Sequence, residues 1–204
     1  MIRLLLLLCW CLPLALPAQT FGGGLLAGLN ISQIDGDQDL GFRQPGMFLG
    51  GFLTYRLKER VALQPEIVFE QLGSRDRLDS LFNLRLNYTS FNLLLQGRIN
   101  LNLGDSSQQE IVLEIGPAIG YLVGATENLS GRDQSNSFSP VDVRGLVGGT
   151  LQMSERWAFS LRYGYSMLSM LRSSGTRPPG TAAGVSGLFH HYLNFSLRYT
   201  VIQR

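Results

Sequence analysis

Few residues in this chain could do chemistry. His190 and His191 are its only histidines, and Ser196 follows on the same stretch with Asn194 between them. A serine nucleophile needs a base and an orienting group within hydrogen-bond reach. On a β-strand His190, Asn194 and Ser196 share a face, but the first and last lie roughly 20 Å apart. They form no catalytic set. Adjacent residues of a strand point to opposite faces, so His190 and His191 cannot both reach one metal ion. No catalytic, cofactor-binding or metal site is expected. The remaining candidates are charged: Arg56, Glu66, Glu70, Arg98, Glu114, Asp142, Arg144, Arg162 and Arg198. Whether they meet depends on the elements that carry them.

The chain begins Met1-Ile2-Arg3, runs through apolar residues to Leu16, and reaches Pro17-Ala18 before Gln19. A positive start, a short apolar middle and a small residue before a polar one make up a secretory signal. The run is too short, and too broken by Pro13 and Pro17, for a spanning helix of about 20 apolar residues. The expected division is a signal over 1–18 and one β-barrel domain over 19–204. Cleavage after Ala18 removes both cysteines, Cys9 and Cys11, and with them disulfide and thiol chemistry. Leu8 and Trp10 are too bulky to precede an acylated cysteine. A net charge of +2 with 16% charged residues leaves no basic surface for nucleic acid.

From Phe21 onward, apolar residues alternate with small or polar ones in segments separated by Gly, Asp, Asn, Ser and Pro, which is the signature of strands. Leu25 to Ile31 opens the series. Met47, Leu49, Leu53, Tyr55 and Leu57 mark the second strand, with Phe48 and Phe52 breaking the pattern on the other face. Leu63 to Phe69, Phe91 to Leu101, Ile111 to Val123, Val141 to Met153, Trp157 to Met167 and Phe189 to Val201 complete eight. The apolar face falls on odd numbers throughout and carries no charge between the turns. The nine candidate charges all fall on the even face.

A water-facing exterior is usually rich in Lys and Glu, whereas this chain has one lysine, Lys58, and its even face is largely Gly, Ser, Asn, Thr and Gln. Small residues such as Gly116, Ala118, Gly120, Gly148 and Gly164 suit a crowded lumen. The fold expected is all-β: a closed antiparallel up-and-down transmembrane barrel of about eight strands, apolar outside and charged within. Short connections at Lys58-Glu59-Arg60, Gly104 to Gln109 and Ser154-Glu155-Arg156 alternate with long ones at Asp35 to Pro45, Gly73 to Asn83, Ala125 to Pro140 and Arg172 to Gly187. Short periplasmic turns and long outer loops are the habit of such barrels. Trp157 and Tyr199 are expected as interface anchors. Asn30, Asn87, Asn128 and Asn194 each begin an Asn-X-Ser/Thr pattern that abundant Asn, Ser and Thr produce by chance.

The Ala18-Gln19 junction, Gly28-Leu29-Asn30-Ile31-Ser32, Pro45-Gly46 and Leu63-Gln64-Pro65-Glu66 resemble the outer-membrane β-barrel families of Bacteroidota, called porin-like or PorT-like. Phe195-Ser196-Leu197-Arg198-Tyr199 resembles the C-terminal strand signal read by the barrel-assembly machinery. The resemblance implies location in the outer membrane and fold, with no defined activity. The expected role is non-enzymatic: envelope structure, or binding of a protein or glycan through the outer loops, in contact with outer-membrane lipid. Residues 125–140 and 172–187, the latter with Arg172, Arg177 and Pro178-Pro179-Gly180, are the expected recognition loops. The rivals are an outer-membrane lipid-modifying hydrolase using His190 and Ser196, and a soluble lipocalin-like barrel carrying an apolar ligand.

The charges are expected to plug the lumen as an ionic network, rather than water or apolar packing filling it. Glu66, Glu114, Arg144 and Arg162 would form its core, with Arg98 and Arg198 toward the periplasmic opening. On fractionation the protein is expected with the outer membrane and should migrate differently on a gel after boiling; recovery in the soluble periplasm would favour the lipocalin-like rival.

Overall fold

The computed structural model describes residues 21–35, 41–75, 83–102, 108–127, 135–171 and 187–203. The expected signal at 1–18, with Cys9 and Cys11, lies outside the described residues. So do Asn128, Arg172, Arg177 and Pro178-Pro179-Gly180 of the long loops.

Eight antiparallel strands close into one barrel in chain order. They are β1 (Phe21–Asp35), β2 (Gln44–Lys58), β3 (Val61–Arg75), β4 (Asn83–Asn102), β5 (Gln108–Glu127), β6 (Val141–Gln152), β7 (Trp157–Ser166) and β8 (Phe189–Gln203). Closure is direct, β1 pairing with β8 from Gly22↔Gln203 to Asp35↔Phe189.

The alternation explains the wall. Odd-numbered Leu29, Leu53, Ile67, Ile115 and Val147 project outward and are more than half exposed. Even-numbered Glu66, Glu114, Arg144 and Arg162 are buried. In water such a surface would drive aggregation; in lipid it is the required one. The soluble-barrel rival needs the reverse arrangement and is overturned by this one. Aromatic pairs band the wall near the termini, Phe21 with Tyr55 at 5.3 Å and Trp157 with Tyr199 at 4.8 Å between ring centroids. At the other end Tyr163, Tyr165, Phe189 and Phe42 gather around His191.

Three strands run further than their apolar periodicity indicated. β3 reaches Arg75, β4 starts at Asn83 and β5 ends at Glu127, so parts of the expected loops at 73–83 and 125–140 are strand. The outward face turns polar there, from Phe69 to Gln71 and from Phe91 to Thr89 and Asn87, because the sheet has left the lipid. Backbone pairing continues past that boundary and needs no apolar face.

Inward glycines mark where the curved wall leaves no room. A Cβ at Gly116 would collide with the Leu93 carbonyl oxygen, and one at Gly46 with that of Gln71. Over Gly46, β1 reaches β3 directly: the Ser32 hydroxyl accepts the Gly73 N–H (2.9 Å) and the Asn30 amide donates to the Gln71 carbonyl (3.4 Å). That close approach is the physical content of the Pro45-Gly46 pair. Gly116→Val should cost about 1 to 3 kcal/mol through overpacking against backbone, read as a lower urea midpoint for refolded protein in detergent.

Candidate functional site

The lumen is where these strands bring most of the described inward charges together, and it is filled in layers. Nearest the termini a cavity of about 330 Å³ is lined by Arg56, Arg98, Glu110, Gln152 and Glu155, with Arg198 at its inner end. Arg98 pairs with Glu110 at 3.5 Å, both side chains about one-third exposed. Arg56 is exposed and has no acidic partner among the described residues. These two arginines stay outside the buried clusters because their strands are already emerging at the mouth, where long side chains reach water.

Above the cavity lies the first buried cluster. Arg162, from the middle of β7, holds both oxygens of Glu66 through its two terminal nitrogens, each at 2.8 Å. Its Nε donates to Glu114 at 2.7 Å. Arg198 donates to the other Glu114 oxygen at 2.6 Å and also contacts Gln64. Two acids thus meet two arginines with no surplus charge. Neutral groups satisfy the remaining lone pairs: Gln96 and Thr150 donate to Glu114 at 2.8 and 3.0 Å, and Gln64 and Asn92 to Glu66 at 2.6 and 3.0 Å. Full satisfaction of this kind lets ions persist in a narrow interior.

Toward the outer end lies a second, separate cluster. Arg144 contacts Glu70 at 2.6 Å and Asp142 at 3.0 Å. His190 Nε2 contacts Asp142 at 2.9 Å, and Ser166 donates to the same carboxylate. The guanidinium carbon lies 5.6 Å from the ring centroids of both Tyr88 and Tyr192, within cation–π range. The expected core of Glu66, Glu114, Arg144 and Arg162 is therefore divided: Arg144 keeps different company from the other three.

An apolar layer closes the outer end. Ile34, Leu72, Leu84, Leu86 and Leu122 from the walls meet Phe138, Met170 and Leu188 from the loops. A 3-10 turn at Ser135–Ser137 and an isolated bridge between Phe138 and Leu171 hold the loop residues there. On the β1–β3 side Leu26, Phe48, Phe52 and Val68 form another inward apolar patch. The expectation of ions instead of apolar packing is corrected: the lumen uses both. The sequence carried the signal in its even-numbered apolar residues, of which Phe48 and Phe52 were the visible pair.

The histidines part company. His190 is fully buried on Asp142, while His191 faces outward, within 3.2 Å of both the Tyr163 hydroxyl and Asp35. Ser196 donates to Asn194 at 2.9 Å, and Asn194 to Asn30 at 2.8 Å. Among the described residues no group of three or more His, Cys, Asp or Glu is placed to hold a metal.

Removing one member of the inner cluster leaves its partner as a buried unpaired charge, at about 3 to 5 kcal/mol. In detergent unfolding, Glu114→Gln and Arg162→Gln should each show such a loss, with a coupling of about 1 to 3 kcal/mol in the double variant. Glu114→Gln with Arg144→Gln should add to within about 0.5 kcal/mol; strong coupling there would show that the two clusters act as one.

Solved structures with the same fold include the attachment invasion locus protein Ail of Yersinia pestis, at 14% identity and TM-score 0.52, covering 88% of this chain and 97% of that one. Neisserial surface protein A aligns at 12% identity and TM-score 0.48, over 88% and 96% of the two chains. OprG of Pseudomonas aeruginosa aligns at 14% identity and TM-score 0.36, over 89% and 92%. No curated protein sequence matches the chain. Residues 17–172 match the family described as outer membrane protein beta-barrel domain. That match covers most of the chain, and the apolar wall and inward charges agree with it: the protein belongs to the outer membrane protein beta-barrel domain family and resides in the bacterial outer membrane.

Proposed function

We propose that this barrel is a closed, non-enzymatic scaffold of the outer membrane that holds its outer loops for a protein or glycan partner. The observation that carries this reading is the layered filling of the lumen, two ion clusters beneath an apolar closure. Among the described residues those layers fill the lumen with side chains, and eight strands enclose only about enough space for them. The hydrolase alternative has no base on its nucleophile, since Ser196 donates to Asn194 and His190 lies six residues away against Asp142. Residues 1–18 act as the export signal, and the C-terminal strand is what the assembly machinery reads. The PorT-like barrels of Bacteroidota are the group whose strand motifs it shares.

Purified protein in planar bilayers should give no stable, large single-channel conductance; such conductance would overturn the closed reading. Because the Ser135 hydroxyl accepts the Ala125 N–H (3.1 Å) and Phe138 packs in the apolar closure, loop trimming must spare both. Deleting 128–134 or 173–186 should leave heat-modifiable migration intact while removing partner binding.

A further inference from the structure

Among the described residues, the outward face of the β3–β4–β5 extension is a polar patch that lies outside the lumen. Beyond Phe69 and Phe91, and alongside Val123, the last exposed apolar residue of β5, that face carries Gln71, Asn87 and Thr89, and then Arg75 and Arg85. Gly73 pairs with Arg85 and Arg75 with Asn83, so the two arginines are diagonal neighbours two rungs apart on adjacent strands. Arg43 immediately precedes β2, the strand on the other side of β3. Neither Arg75 nor Arg85 has an acidic partner among the described residues. Arg85 Nε is in addition buried without a hydrogen-bond partner. Beside it, Gln71 donates to Asn87 at 3.0 Å, and Gly124 leaves open space whose nearest neighbour is Asn87, 3.8 Å from where a Cβ would stand.

A guanidinium with an unused donor, near a second guanidinium and amide side chains, has the chemistry to hold a phosphate. Height selects the molecule that brings it. Arg85 pairs with Thr126, three residues beyond Val123 and about 8 Å above that last outward apolar residue for a strand tilted by about 40°. The polar zone of a simple phospholipid leaflet is only about 5 to 7 Å deep. We propose that Arg75 and Arg85 form an outward-facing site for the phosphorylated head group of a tall glycolipid of the outer leaflet. Gln71, Asn87 and Thr126 would line the site with neutral hydrogen-bonding groups. The inference rests on the outer-membrane orientation and not on the closed lumen, so conductance and lipid retention fail separately.

The test is retention of purified lipopolysaccharide by the full-length protein in nanodiscs, read by native mass spectrometry. The wild type should retain it and release it when phosphatase treatment has removed the phosphates. Arg75→Gln with Arg85→Gln should lower retention about tenfold. Thr126 is exposed and pairs with Arg85 on the neighbouring strand, so Thr126→Asp keeps both arginines while setting an acid against the phosphate. It should act in the same direction in a barrel whose heat-modifiable migration is unchanged. Arg60→Gln, at a periplasmic turn, should retain lipid like the wild type. Equal retention of dephosphorylated lipid or of phosphatidylglycerol, displacement by millimolar inorganic phosphate alone, unchanged retention by Thr126→Asp, or loss in Arg60→Gln would each overturn the site.

Discussion

Closing only eight strands brings opposite walls so near that every inward side chain must come to terms with one from across the axis. The rest of the molecule follows from that crowding. A charge turned inward has no bulk water to retreat to except at the mouth, so it must find an opposite charge or destabilise the barrel. Where the wall curves most tightly even a methyl group is too much, and glycine occupies the position. The same geometry makes long side chains economical fillers: Arg162 alone joins Glu66 on β3 to Glu114 on β5 from its place on β7.

Much of this fold is legible in the chain because lipid imposes a strict rule. Every second residue of a spanning strand must be apolar, and that rule leaves its period in the sequence from Leu25 to Val201. Strand count, register and the identity of the inward face all follow from it. The rule lapses where the strands leave the membrane, which is why Leu84 and Leu86 read as the margin of a loop when they are inward residues of β4. Pairing there is set by backbone hydrogen bonds and by loop residues such as Phe138 packing from above.

The partners of the inward charges are not legible in the same way. Glu66 and Arg162 lie 96 residues apart, on strands that do not pair with one another. Their meeting depends on tilt and stagger around the closed wall, which no local pattern records. Inward parity is a good guide to which charges turn into the lumen, and place along the strand a poor one to which are buried: Asp142, second residue of β6, is buried. His190 shows the same limit: its parity gives its inward direction, while its place beside Asp142 depends on a strand far away in sequence.

The cavity near the termini gives the barrel two unlike ends. It is a cup beside the termini that ends at Arg198, while Phe138, Met170 and Leu188 join an apolar layer at the other end. At that mouth Arg56 is exposed and Arg98 partly so, while Glu66, Glu114 and Arg162 behind them are buried. One lumen therefore offers two chemistries, a charged and wetted mouth beside the termini and an apolar layer under the loops.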